Sequence, residues 1–309
     1  MGDSVTAYAF QRSARTALRA SRYGLTYLAG HHLLRKDKPL IRGLVLTNRC
    51  NLHCQHCRVF ERDPMDLSFA EVTAAVDAFY RGGGRSLYLE GGEPFLWRDG
   101  AHRLDDIVAY AHGLGYLTVV VYTNGTLPLR TSADTVFVSV DGLRATHDAL
   151  RGTSFERIMG NIRESPHPSL FINSTINARN KDEIRAFCDH IEGIANIRGT
   201  FFYLHTPYYG HDALEFGSAE RQRVLHELLS LRRRYRILNS RAGLQSALRN
   251  DWARPLSACS VYEEGVVYEC CRYAGDPDLC RQCGYLGYAE IDQVLKLKPS
   301  ALANALKYF

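Results

Sequence analysis

No uninterrupted apolar run in the 309 residues approaches the ~18 needed to cross a bilayer, which excludes a membrane-spanning helix. The N-terminus lacks a signal peptide's basic start, compact apolar block and small-residue cleavage site, so export is not expected and the chain is read as cytoplasmic. No internal repeat or low-complexity tract is present, which removes fibrous and repetitive architectures. Charge of one sign is not dominant either: 38 basic against 33 acidic residues give +5, and a nucleic-acid partner, which would rest on the N-terminal arginines alone, is not expected. What is there, 46% hydrophobic and 23% charged residues, suits a globular chain that buries a core. Its length accommodates one barrel-sized domain with an appendix. Nine cysteines, an odd number, in a reducing compartment argue for metal ligation or redox chemistry over a disulfide framework.

The charge is uneven. Residues 1–42 hold eight Lys or Arg against Asp3 and Asp37, a local +6 that leaves −1 for the remainder. At 100° per residue, Arg12, Arg15, Arg19 and Arg22 share a helical face opposite Phe10, Ala14, Ala17, Leu18, Leu25 and Leu28. Two readings of this basic amphipathic helix stand: contact with an anionic membrane surface or substrate, or an apolar face packed on the main domain with its arginines in water. Gly24 and Gly30 weaken a long helix.

From residue 43, β-rich runs alternate with helical stretches, the order of parallel strands joined by helices. The strands are read at 43–47, 86–90, 116–122, 136–140, 169–177 and 200–205. A helix over 68–81 is capped by Ser68 with Glu71 three residues on, and Gly82, Gly83 and Gly84 end it. The fold class is α/β, a partial (β/α)6 TIM-type barrel. The expected division is 1–42 as the helical extension, 43–235 as the barrel and 236–309 as a small cysteine-rich lobe.

Immediately after the first strand stands Cys50-Asn-Leu-His-Cys54-Gln-His-Cys57, on a loop at the sheet edge where α/β barrels build active sites. Three thiolates hold three irons of a 4Fe-4S cluster and leave the fourth open to a ligand. From the triad alone the competing reading is zinc, with His53 or His56 as fourth ligand.

Further along, Glu90-Gly91-Gly92-Glu93-Pro94 ends the second strand, Thr123-Asn124-Gly125 follows a later one, and Ser139-Val-Asp141-Gly142 precedes His147-Asp148 and Arg151-Gly152. With the C-x3-C-x2-C triad, these segments resemble, in order and over about 43–205, the radical S-adenosylmethionine (radical SAM) enzymes. His56 is a small departure, since an aromatic ring is more usual before the third cysteine. The resemblance implies that Cys50, Cys54 and Cys57 hold the cluster. It also implies that Gly91, Gly92, Glu93, Pro94, Asn124, Ser139, Asp141 and Arg151 approach S-adenosylmethionine. Glycines at 91 and 92 leave room for its amino group, and Glu93 anchors that ammonium or holds the turn. Asp141 meets the cofactor or caps the turn with Gly142. Arg151 pairs with the cofactor carboxylate or braces the loop with Asp148.

Five more cysteines, Cys259, Cys270, Cys271, Cys280 and Cys283, resemble the twitch or SPASM-type extensions that carry auxiliary clusters. One further 4Fe-4S cluster on Cys259, Cys270, Cys280 and Cys283 is expected, with Cys271 as a substitute for Cys270 and structural zinc as the alternative. Cys188 reads as an inert core residue. The implied activity is cleavage of S-adenosylmethionine to a 5′-deoxyadenosyl radical that abstracts hydrogen from a substrate, with a flavodoxin or ferredoxin as electron donor. His205, Tyr208 and Tyr209 are the substrate-side candidates. A small-molecule intermediate (natural product, sugar, nucleoside or lipid) is expected, with a ribosomal precursor peptide as the alternative. A non-catalytic metal-binding redox sensor is the rival from another class.

Overall fold

In the computed structural model the described residues are 2–35 and 38–305, with side chains from residue 18 onward. The elements run α1 (Gly2–Leu34), β1 (Ile41–Val45), α2 (Phe69–Arg81), β2 (Ser86–Glu90), α3 (Leu104–Leu114), β3 (Thr118–Thr123), β4 (Thr135–Ser139), α4 (Arg144–Arg151), α5 (Phe155–Glu164), β5 (Leu170–Ile176), α6 (Ile184–Glu192) and β6 (Ile197–Leu204). There follow α7 (Ser218–Leu231), α8 (Arg241–Arg249), β7 (Cys259–Glu263), β8 (Val266–Glu269), α9 (Pro277–Gln282), α10 (Leu286–Leu295) and α11 (Pro299–Ala305). All strands form one open sheet of order β6-β5-β4-β3-β2-β1-β7-β8.

The first six strands are parallel with helical crossovers, as the alternation of patterns predicts. Apolar positions along them are fully buried: Leu87, Leu89, Val119, Val121, Val136 and Val138 have no solvent contact. On α2, the Ser68 hydroxyl accepts from Glu71 N while the Glu71 carboxylate accepts from Ser68 N, the reciprocal cap read from the sequence. Gly43 permits a close approach: a Cβ there would fall 2.0 Å from the Tyr88 ring. Tyr88 begins an aromatic belt across the sheet, continuing through Tyr122, Phe137 and Phe171.

The sheet is longer than the six strands expected. β7 lies parallel to β1, with Ile41 opposite Cys259, and β8 returns antiparallel from it. The first cysteine of the C-terminal group therefore stands beside the opening strand. On the far edge, Asn239 accepts from Phe202 N and donates to Phe202 O, covering β6.

Of the apolar face expected to pack, only Leu28 among the described side chains meets the core, and α1 docks mainly through Tyr23 and Tyr27. The Tyr23 hydroxyl donates to Gly83 O and the Tyr27 hydroxyl to Lys38 O, and Leu28 joins the core. Leu18 and Leu25 are 73% and 71% exposed. The reason is angular: Tyr23 stands about 160° from Leu25 around the helix, so docking through the tyrosines turns these leucines outward. Arg19 and Arg22 are exposed, and both line a cleft beside Tyr23. The side chains of Phe10, Arg12, Ala14, Arg15 and Ala17 lie outside those described. Among the described residues no helix is long and apolar enough to cross a membrane.

Candidate active site

The C-terminal ends of β1 to β5 converge on the loop carrying Cys50, Cys54 and Cys57. The loop is tied down by its own backbone and by α4: Cys57 N donates to Cys54 O, Gln55 N to Leu150 O, and the Gln55 side chain to Ala149 O. All three cysteines are free thiols. The Asn124 amide donates to Cys50 Sγ at 3.7 Å and the Arg151 guanidinium to Cys54 Sγ at 3.9 Å, so two of the sulfurs face hydrogen-bond donors. Burial pushes the Cys54 thiol up to about 11, against the pull of Arg151. Among the described residues no three His, Cys, Asp or Glu side chains converge as on a single metal ion. An iron–sulfur cube takes its thiolates spread around it, so a donor set of three near-neighbour thiols with a cation behind them suits a cluster.

The Gly91-Gly92-Glu93-Pro94 segment is locked against this loop. Gly92 N donates to Thr47 O and Glu93 N to Arg49 O, at 2.7 and 2.9 Å. A Cβ on Gly91 or Gly92 would lie 2.3 Å from the Thr47 or Arg49 carbonyl oxygen. On the Cβ side, then, the chain's own backbone requires glycine. Glu93 is completely buried, with its carboxylate accepting from the Thr123 hydroxyl, Asn124 N and Phe95 N. Burial raises its pKa while these donors oppose. Of the two roles expected for Glu93, this geometry is that of the turn holder: it joins the end of β2 to the end of β3 and so sets Asn124 beside Cys50.

Asp141 and Arg151 form a buried pair, with Arg151 Nε donating to Asp141 Oδ2 at 2.6 Å. Asp141 Oδ1 accepts from Thr175 N, and His56 Nε2 stands 3.7 Å from Oδ2. Burial alone would raise the Asp141 carboxyl; Arg151 and then His56 carry it below its ordinary value. The expected bracing of Arg151 with Asp148 is not what forms. Asp148 instead accepts from Ser154 N and Phe155 N, capping the start of α5. Ser139 ends β4 in register with Asn173 of β5.

His147, in the sequence only one member of a motif, organises this corner. Fully buried, it accepts from Asp141 N and faces the Ser154 hydroxyl. Burial, then the Arg151 charge, lower its pKa to about 4. The native state thus holds it neutral while the unfolded chain takes up a proton below about pH 6.5. Stability attributable to this ring is complete above that pH and drains as pH falls towards 4. Urea unfolding of the wild type is expected to lose up to about 3 kcal/mol through this window, and a His147→Gln variant to show a flatter profile there. Equal slopes for the two proteins would remove His147 as the cause.

The C-terminal cysteines gather beside β1. Cys270 N donates to Cys259 O. The two neighbouring thiols shift one another, Cys270 upwards and Cys271 downwards. Cys259 points to Tyr88, and burial raises it to about 12. Arg254 donates to Cys280 O and Arg221 to Cys283 O, fixing the Cys280–Cys283 turn; no motif in the sequence points to either arginine. Cys188 is buried on α6, as expected.

The loop after β6 bridges the two cysteine groups. His205 Nε2 lies 2.9 Å from Asp212, and the Tyr208 ring stacks on Tyr273 with centroids 4.8 Å apart. Arg58, next to Cys57, lies over the Tyr209 ring. Also unforeseen is a charged group at the same mouth: Glu263 receives both Arg62 and Arg272, and Arg272 lies 3.8 Å from Glu90. Its members come from positions about 200 residues apart, with no local signal.

The Radical SAM superfamily sequence profile matches residues 44–167, the stretch from β1 through α5. An AdoMet-dependent heme synthase of Methanosarcina barkeri is 31% identical over 218 residues, 65% of this chain and 61% of that protein. A pre-heme d1 synthase of Dinoroseobacter shibae is 31% identical over 53% of the chain and 43% of its own length. The chain thus spans less than two thirds of these curated relatives. Streptococcus suis SuiB bound to S-adenosylmethionine superposes with a TM-score of 0.60 at 15% identity, covering 87% of this chain and 69% of that one. The profile begins at the strand that delivers the three thiols, and the fold carries the remaining motifs to the same sheet edge: residues 44–167 match the Radical SAM superfamily.

Proposed function

We propose that the protein is a radical SAM enzyme acting on a small-molecule intermediate. The observation that carries this reading is the placement of Cys50, Cys54 and Cys57 against Asn124 and Arg151 at the edge where five parallel strands end. In this reading Cys50, Cys54 and Cys57 hold three irons of a 4Fe-4S cluster, and the cluster with S-adenosylmethionine supplies a 5′-deoxyadenosyl radical. Arg151 offsets negative charge on the sulfur side through its contact with Cys54, and Asp141 keeps that guanidinium in place. Glu93 holds the turn from which Gly91, Gly92 and Pro94 face the cofactor. Asn124, Ser139 and Asp141 line the strand ends beside it.

A second 4Fe-4S cluster on Cys259, Cys280, Cys283 and either Cys270 or Cys271 is supported by Cys270, Cys280 and Cys283 lying near Arg254, with Cys283 also near Arg221. His205, Tyr208 and Tyr209 occupy the loop between the two groups, where a substrate would meet both. A low-potential flavodoxin or ferredoxin is the fitting electron donor. Several relatives are named for haem synthesis, so tetrapyrroles are the first small molecules to try. Anaerobic reconstitution is expected to give about eight irons per chain, and reductant with S-adenosylmethionine to give 5′-deoxyadenosine. About four irons with one zinc would overturn the second cluster; absence of 5′-deoxyadenosine would overturn the proposed activity.

A further inference from the structure

The basic face of α1 plays no part in the chemistry above, and its position points elsewhere. Arg19, Arg22, Tyr23 and Thr26 form one wall of a cleft whose opposite wall is Tyr80, Arg85, Gly115 and Leu117, enclosing about 540 Å³. This volume is within the usual range of small-ligand sites, roughly 300–1,000 Å³. The cleft lies at the N-terminal ends of β2 and β3, where Arg85 and Leu117 lead into the strands. The cysteine groups lie beyond their other ends, a strand length of roughly 17 Å away.

Three guanidiniums face this space and no carboxylate lines it. Among the described residues none of Arg19, Arg22 and Arg85 is ion-paired with an acid. Arg85 is built in place: its plane lies 3.7 Å over the Tyr80 ring, and Nη1 donates to Tyr80 O and Gly84 O. Those bonds leave Nε and Nη2 to serve another acceptor. The α1 wall is pinned by Tyr23, which donates to Gly83 O at 2.8 Å.

A simpler reading is that the arginines only offset the C-terminal ends of α2 and α3, which finish at this face. Magnitudes decide against it. Each helix end carries about half a negative charge, so two ends cancel roughly one of the three positive charges and about +2 is left. A compact dianion with several acceptor oxygens meets that surplus and the fork geometry of arginine together. We propose that this cleft is a second binding site, remote from the cysteines, for a phosphate ester or phosphoanhydride.

The test is titration calorimetry of the full chain with inorganic pyrophosphate at about 0.15 M salt, where screening removes weak surface attraction. Wild type is expected to bind, and an Arg19→Gln/Arg22→Gln variant to bind at least about tenfold more weakly. A control variant, Arg157→Gln/Arg163→Gln, loses the same charge from exposed positions on α5 and is expected to bind as wild type. Because Arg19 and Arg22 are exposed, the variant keeps its core, and an unchanged melting temperature verifies this. Vesicles containing phosphatidic acid identify the source: capture of wild type but not the variant marks a lipid headgroup, while pyrophosphate binding without capture marks a soluble phosphate compound. No binding of either probe, or equal binding by both variants, overturns the proposal.

Discussion

A chain in which Cys50, Cys54 and Cys57 are all alanine is expected to fold, to bind about half the iron of wild type, and to form no detectable 5′-deoxyadenosine. The folding part follows from position. The three residues lie on a loop outside every strand and helix, and only Cys54 is buried, so the loss of transfer free energy is about 1 kcal/mol per thiol at most. The catalytic part follows from ligation, since a cluster deprived of its thiolates cannot be held. Replacing Cys280 and Cys283 by alanine is the matched control. It is expected to lose the other half of the iron while still cleaving S-adenosylmethionine, because those residues sit with the second cysteine group. Iron assay and chromatography of 5′-deoxyadenosine under anaerobic reductant read both results. Continued 5′-deoxyadenosine formation by the triple variant would refute the assignment of the open cluster.

This asymmetry between the two cysteine groups also marks how far the amino-acid order could be read. The six parallel strands are legible because short runs of β-formers and apolar residues alternate with helical stretches, and the reading of β2 at 86–90 coincides with its observed bounds. The short motifs were legible because each falls at a strand end, where the periodicity breaks. The last two strands were not. Cys259–Glu263 and Val266–Glu269 carry β-formers, but the density of cysteine around them invited a reading as a metal-stapled lobe. The pairing of β7 with β1 also spans more than 200 residues, which leaves no local trace. The direction of α1 was obscure for another reason. Tyr23 and Tyr27 bury a ring and satisfy a hydroxyl at once, a combination a two-letter apolar pattern cannot express. Likewise, that Arg151 selects Asp141 over Asp148 depends on how β4 is placed against α4, and the spacing in the chain favours the nearer acid.

That selection carries the second large effect. An Arg151→Met variant keeps the volume of the side chain but leaves the Asp141 carboxylate inside the protein without its cation, and is expected to lose about 3–5 kcal/mol of stability at pH 7. The sign with pH separates this cause from a packing defect. In wild type the carboxyl is held below its ordinary value, so the pair's contribution is present above about pH 4 and is lost as pH falls through the depressed native value. In the variant, burial acts unopposed by Arg151 and lifts the carboxyl above its unfolded value, so protonation on acidification relieves the variant alone. The gap between the two proteins is therefore expected to narrow from pH 7 to pH 4.5 in urea unfolding. Adding Asp141→Asn to the variant is expected to recover part of the loss at pH 7, since a neutral amide still accepts from Thr175 N. A packing defect at position 151 would give a gap that neither pH nor the second substitution moves. Arg151 also donates to Cys54 Sγ, so the double variant is expected to regain stability without regaining 5′-deoxyadenosine formation. That split assigns the Asp141 partner to stability and the Cys54 contact to chemistry.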